Sequence, residues 1–204
     1  SSKTYLVGNP VREEIIAIDR SATKLSENLS AIKILVIGGS LGAKVLNDNL
    51  PLALAKLDAK PAQITHQIGR AAIEPIVEAY QANLVKNVQV VNFIDDMAAA
   101  YANADLIICR AGASTVAEVA AAGIAAIFVP YPYAVDDHQT TNTHQLVAAG
   151  AAILLPQAEL NPAKLAELIS GLNYTICQNM GEKARSLAIL DSTQQICQQI
   201  IEQL

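Results

Sequence analysis

Ile32-Lys33-Ile34-Leu35-Val36-Ile37-Gly38-Gly39-Ser40-Leu41-Gly42-Ala43 is the stretch that decides the fold. Its first six residues are apolar except for one lysine and rich in β-branched side chains, the pattern of a strand buried on both faces. The glycines end that run. Beyond them Val45, Leu46, Leu50, Leu54 and Leu57 recur at helical spacing, so strand, glycine turn and helix follow in order.

The same alternation runs down the chain. Strands are expected near Ile64 to Gln67, Val88 to Asn92, Leu106 to Cys109, Ala126 to Val129 and Ala152 to Leu155. Helices are expected over Ala71 to Leu84, Asp96 to Asn103, Ser114 to Ala122, Asp137 to Ala148 and Pro162 to Leu172. Repeated βα units mean an α/β fold, a doubly wound parallel sheet of Rossmann type with right-handed crossovers. Two further helical stretches, Ile176 to Ala188 and Thr193 to Leu204, close the chain, and Ile196, Ile200 and Leu204 give the last an apolar stripe that needs a partner. At the other end Lys3 to Val7 reads as a short strand running straight into Gly8-Asn9-Pro10, as expected of a chain that begins inside a longer protein. Asp19 to Ser30 is polar and reads as a loop.

Composition supports this architecture. With 52% hydrophobic and only 4% aromatic residues, the core must be built from Ala, Val, Ile and Leu, as in helix-covered parallel sheets. The 204 residues suffice for one sizeable domain. A net charge of −5 argues against a surface that wraps nucleic acid or docks on anionic lipid by charge, so any anionic ligand must be held locally. Cys109, Cys177 and Cys197 are odd in number and lack zinc or disulfide spacing, which fits a reducing cytoplasm. No apolar run approaches the roughly 18 residues of a membrane span, so a soluble domain without direct membrane insertion is expected.

In open parallel sheets ligands bind beyond the carboxyl ends of the strands, and the glycine-rich residues cluster there. Gly38 to Gly42 lets backbone approach a ligand, and the following helix aims its positive end and free N–H groups at the same place, which suits phosphate. A tight strand-to-helix turn also needs glycine, so this loop alone does not separate the two readings. The loop is G-G-x-x-G, not G-x-G-x-x-G, and the next strand ends at Gln67-Ile68-Gly69 without an acid, which speaks against NAD. Ala43-Lys44-Val45 lacks the Gly-Lys-Ser/Thr of a P-loop. After the strand at Leu106 comes Arg110-Ala111-Gly112-Ala113-Ser114-Thr115-Val116-Ala117-Glu118, where Glu118 either accepts from a vicinal diol such as ribose or simply favours the dipole of a Ser/Thr-capped helix. Its place at a strand's carboxyl end favours the ligand. Asp95-Asp96 and Asp136-Asp137 precede helices and read first as N-caps. His138 and His144 are six apart, not four, and His66 stands alone, so a metal site is not expected.

Taken together, Gly8-Asn9-Pro10-Val11-Arg12, GGSLGA at 38 to 43, FIDDM at 93 to 97, RAGASTVAE at 110 to 118 and DDHQTTN at 136 to 142 resemble, in order and spacing, the MurG family of GT-B glycosyltransferases, family 28. The resemblance covers nearly the whole chain. It implies transfer of N-acetylglucosamine from UDP to lipid I, giving lipid II for peptidoglycan, with inversion at the sugar. It further implies that residues 1 to 204 are the C-terminal, donor-binding domain of an enzyme peripheral on the cytoplasmic face of the bacterial inner membrane. On the same resemblance the N-terminal domain, with the acceptor loop and the base, is expected to lie outside the chain.

In the implied UDP-N-acetylglucosamine site Arg12 and Ser40 resemble the family's phosphate-side residues and Ile94 the one whose backbone meets the uracil edge, with Gly39, Phe93 and Met97 also among the implied binding residues. Ala113, Ser114 and Thr115 resemble the family's loop beside sugar and phosphate, Glu118 its ribose ligand and Gln139 its contact to the sugar hydroxyls, and Val116 and Ala117 complete the implied set. No cofactor, metal or catalytic residue is implied in this chain, and lipid I is reached through the missing domain. Two alternatives are a domain of another UDP-sugar transferase or epimerase, and a free-standing module that binds UDP-sugars without chemistry. The length of the coding frame separates the last from the rest.

Overall fold

The computed structural model describes residues 5–20, 31–133 and 138–202. Strands β1 (Lys33–Ile37), β2 (Gln63–Gln67), β3 (Val88–Val91), β4 (Leu106–Cys109), β5 (Ala125–Phe128) and β6 (Ala152–Leu154) form one sheet in the order β3-β2-β1-β4-β5-β6. Every pairing is parallel. Helices α1 (Glu13–Ile16), α2 (Lys44–Ala55), α3 (Ile73–Ala82), α4 (Met97–Asn103), α5 (Ala113–Ala122), α6 (His138–Ala148), α7 (Pro162–Ser170), α8 (Tyr174–Ser186) and α9 (Ser192–Ile201) complete the described chain.

The double winding follows from the period of the strand. Ile34 and Val36 point to one face and pack with Leu46, Leu50 and Leu54 of α2 and Leu165 and Ile169 of α7. Leu35 points to the other face and joins Ile107, Cys109, Val119, Ala126 and Phe128. Both faces need cover around β1, β4 and β5, which therefore read as nearly continuous apolar runs, whereas β2 and β3 alternate and carry Gln63, Thr65 and Gln89 on a more open face. Small side chains dominate the second core, where Ala120, Ala121, Ala122 and Ala126 let α5 lie close on the sheet.

Three expectations are amended. The segment read as a strand at 3–7 is irregular over Tyr5 to Val7, with Lys3 and Thr4 outside the described residues. Leu6 lies near Leu187 to Ile189 and Tyr5 to Val7 lie beside Gln195, Gln198 and Gln199 of α9, whereas a strand needs a sheet edge to pair with. The short helix α1 was not foreseen. Its single buried residue, Ile15, anchors it to α4 and α5, and Arg185 of α8 donates to its last carbonyl at Ile16 (2.9 Å). The apolar stripe of α9 stays open among the described residues: Ser192 is buried, whereas Ile200 and Ile201 are 56% and 69% exposed. Leu204 and most of the loop at 19–30 lie outside the described residues.

Candidate functional site

Strands β1 and β4 are neighbours, yet the helix after β1 crosses to one face and the helix after β4 to the other. The connections must part there, which opens a crevice beyond the carboxyl ends of the two strands. Gly38–Ala43 forms one wall and Arg110–Gly112 the other. Helix α2 starts after Ala43 and α5 after Gly112, and neither cap position supplies a side-chain hydrogen bond. Two helix N-termini thus face the crevice with donors that no cap has taken, an arrangement suited to an anion. The competing reading of Ser114 and Thr115 as caps of α5 does not hold, because both lie inside the helix.

The glycine wall is built by backbone shape. Gly42 and Gly69 both have left-handed φ, +78° and +69°, and their loops touch: a Cβ on Gly42 would stand 2.3 Å from the Ile68 carbonyl oxygen, and one on Gly69 2.1 Å from the Gly42 nitrogen. Gly39 also has positive φ, +79°, but a Cβ there would meet nothing within 4 Å. The space beside Gly39 is the open crevice. Beneath the loop, Gln67 is 4% exposed and its Oε1 accepts from the N–H groups of Gly38 (3.1 Å) and Gly39 (3.2 Å). Its Nε2 donates to the carbonyls of Gly39 (3.0 Å) and Asn92 (2.8 Å). The Gly39 N–H is therefore directed into the protein, and what this loop turns outward is the exposed Ser40 and the start of α2.

The opposite wall is built by charge. Glu118 Oε1 accepts from Arg12 Nη2 at 3.1 Å, and Oε2 accepts from the Tyr101 hydroxyl at 3.0 Å. The Tyr101 hydroxyl is pushed well above the usual phenol range, first by burial and then by the Glu118 carboxylate, so it stays a proton donor. Arg12, at the cap of α1, is half exposed while Glu118 is only 19% exposed in its side chain. The structure thus brings together the residues expected at the phosphate and at the ribose. Gln139 uses its Oε1 to accept from the backbone of Ala111 (3.2 Å) and Tyr131 (2.9 Å), which places it at the mouth of the crevice. Arg110 is a brace: it donates to the Val129 and Pro130 carbonyls and lies over the Tyr131 ring, and burial lowers its pKa.

At the third side Phe93 is 69% exposed, with Ile94 and Met97 half-buried behind it. Asp96 caps α4 by accepting from the Ala99 N–H (2.8 Å), as its position before a helix predicts. Asp136 and Asp137 lie outside the described residues. Ala113 and Ser114 are exposed and Thr115 and Ala117 half-buried at the start of α5. Val116, expected among the ligand residues, is instead buried in the core, with its N–H bonded to Gly112, because the fourth residue of this helix faces the sheet. The histidines are dispersed: His66 is buried on β2, His138 and His144 are exposed on α6. Three residues of the site were not singled out beforehand, namely Gln67, Asn92 and Tyr101. The one available signal was a glutamine at the carboxyl end of a strand, next to the glycine of the following turn.

The model of the glycosyltransferase family 28 C-terminal domain matches residues 33–203. The chain belongs to glycosyltransferase family 28. This family 28 chain is 52% identical, over 95% of its length, to the UDP-N-acetylglucosamine–N-acetylmuramyl-(pentapeptide) pyrophosphoryl-undecaprenol N-acetylglucosamine transferase of Dechloromonas aromatica. It is 48% identical over 93% of its length to the transferase of the same name from Ralstonia nicotianae. These matches cover 56% and 53% of the two relatives. The crystal structure of Acinetobacter baumannii MurG superposes with a TM-score of 0.85 at 43% identity, covering 92% of this chain and 55% of that one. The family 28 chain thus spans about half the length of the relatives it matches.

Proposed function

We propose that this chain is the C-terminal donor-binding half of a glycosyltransferase that moves N-acetylglucosamine from UDP-N-acetylglucosamine to lipid I, forming lipid II. The observation that carries the reading is the pairing, across one crevice, of two uncapped helix N-termini with a carboxylate held ready for a diol. The helix ends suit a diphosphate, and Glu118 suits ribose hydroxyls. The relatives at 52% and 48% identity, whose names state this transfer, support the same substrate.

In this reading Ser40, Gly39 and the start of α2 face the diphosphate with Arg12. Phe93, Ile94 and Met97 border the uracil, and Ala113, Ser114, Thr115, Ala117 and Gln139 border the sugar. The same helix ends stabilise the charge that gathers on UDP as it leaves. Lipid I and the base that takes its proton belong to an N-terminal half beyond this chain. Transfer needs the acceptor hydroxyl within about 3.5 Å of the anomeric carbon, so residues 1–204 alone bind donor and make no product. In this reading the rest of the enzyme holds the domain at the cytoplasmic face; among the described residues no helix is long and apolar enough to cross a membrane.

Calorimetry with UDP-N-acetylglucosamine, UDP-glucose and UDP tests the reading directly. Binding of UDP that survives chelator, with preference for the N-acetylated sugar, is expected. No binding of UDP by the folded chain, or lipid II formation by it, would sink the proposal.

A further inference from the structure

Gln67 ends β2, and its neighbours in the sheet are Ile37 on one side and Val91 on the other. Ile37 runs into the glycine loop, and Val91 into Asn92, Phe93 and Ile94. In the donor-site reading, on which this inference rests, the first connection meets the diphosphate and the second meets the base. The two accepted and two donated hydrogen bonds of Gln67 are the full capacity of a carboxamide, and they fall on both connections. Asn92 extends the tie, since its Nδ2 donates to the carbonyls of Gly69 (2.7 Å) and Ala71 (2.8 Å). Two neutral amides thus join the turns after β1, β2 and β3.

We propose that Gln67 is a positioning residue that sets the spacing between the diphosphate end and the base end of the donor site. A ligand that carries both groups gains affinity over its separate parts only if the two subsites already stand at the separation that its own bonds impose. No other side chain of this length does the task. A carboxylate accepts from Gly38 and Gly39 but has no proton for the carbonyls of Gly39 and Asn92, and a leucine offers neither.

The test compares the wild-type chain with Gln67→Leu and Gln67→Glu by NMR titration with uridine, pyrophosphate, UDP and UDP-N-acetylglucosamine. For Gln67→Leu, UDP affinity is expected to fall roughly ten-fold or more, while uridine and pyrophosphate each weaken less than about three-fold. For Gln67→Glu at about pH 5.5, where the buried acid keeps its proton, the single O–H replaces one of the amide's two donated bonds, and UDP-N-acetylglucosamine affinity is expected within about three-fold of the wild type. It is expected to fall roughly ten-fold by about pH 8 relative to the wild type, as two carbonyls then face a carboxylate. Should Gln67→Leu not fold, the pH comparison decides alone. Equal weakening of all ligands, UDP affinity in Gln67→Leu within about two-fold of wild type, or a Gln67→Glu profile parallel to wild type overturns the inference. A wild-type chain that binds no UDP overturns instead the donor-site reading beneath it.

Discussion

The two walls of the crevice are made of different materials. The wall after β1 is backbone held by backbone, with Gly42 against Gly69 and a neutral glutamine beneath. The wall after β4 is side chain held by side chain, with Glu118 between Arg12 and Tyr101. Loops in van der Waals contact cannot admit a Cβ, so the first wall ties its shape to the stability of the fold. An ion pair whose arginine is half exposed contributes little to stability, so Arg12 is free to exchange partners when a ligand arrives. Fold and function should therefore separate: substitutions in the first wall cost stability, and those in the second cost affinity.

The largest effect is expected at Gly69→Ala. A left-handed alanine costs about 1–3 kcal/mol by itself, and the approach to the Gly42 nitrogen adds to it, so a loss of roughly 3 kcal/mol or more in urea denaturation is expected. A loss under about 1 kcal/mol would show that the two loops can part and would blur the contrast.

The strand under the first wall provides a pH test of comparable size. His66 is fully buried, its Nδ1 lies 2.8 Å from the Tyr80 hydroxyl, and burial lowers its pKa to about 4 from 6.5. Between those values the unfolded chain binds a proton that the folded chain refuses. Stability is therefore unaffected by this group above pH 6.5, falls as the pH drops from 6.5 toward 4, and levels off below. The full loss is of the order of 3 kcal/mol, and it should be absent from the pH dependence of His66→Gln. An unchanged slope in that variant assigns the acid sensitivity elsewhere.

In the second wall, Glu118→Gln is expected to weaken UDP roughly ten-fold, about 1.5 kcal/mol, because hydrogen bonds to a charged group are the stronger ones. Its melting temperature should stay within a few degrees of the wild type. A variant that melts early but binds UDP normally would make Glu118 a structural anchor. Within the first wall the smallest effect on stability is expected at Gly39→Ala, about 1 kcal/mol, since its φ is positive but its Cβ would meet nothing. Its UDP affinity should nonetheless fall, because the methyl group enters the crevice. Retained affinity would move the diphosphate away from Gly39.

Periodicity and turn chemistry made most of the fold legible. Buried runs such as Leu106 to Cys109 and capped starts such as Asp96 depend on neighbours close in sequence, and their bounds were readable to within about two residues. The motif order from Arg12 to Gln139 likewise picked out residues at strand ends and in the first turns of helices. Other features belonged to tertiary structure alone. The apolar content of residues 5 to 7 fits a strand, but no sheet edge was there to pair with it. Val116 sits within a glycine-rich motif, yet the rotation of α5 turns it into the core. Gln67, Asn92 and Tyr101 meet their partners across 17 to 29 residues of chain, and no local pattern encodes such a meeting. A side chain's own environment is written nearby in the sequence, whereas the identity of its hydrogen-bond partner is decided by which strands the sheet sets side by side.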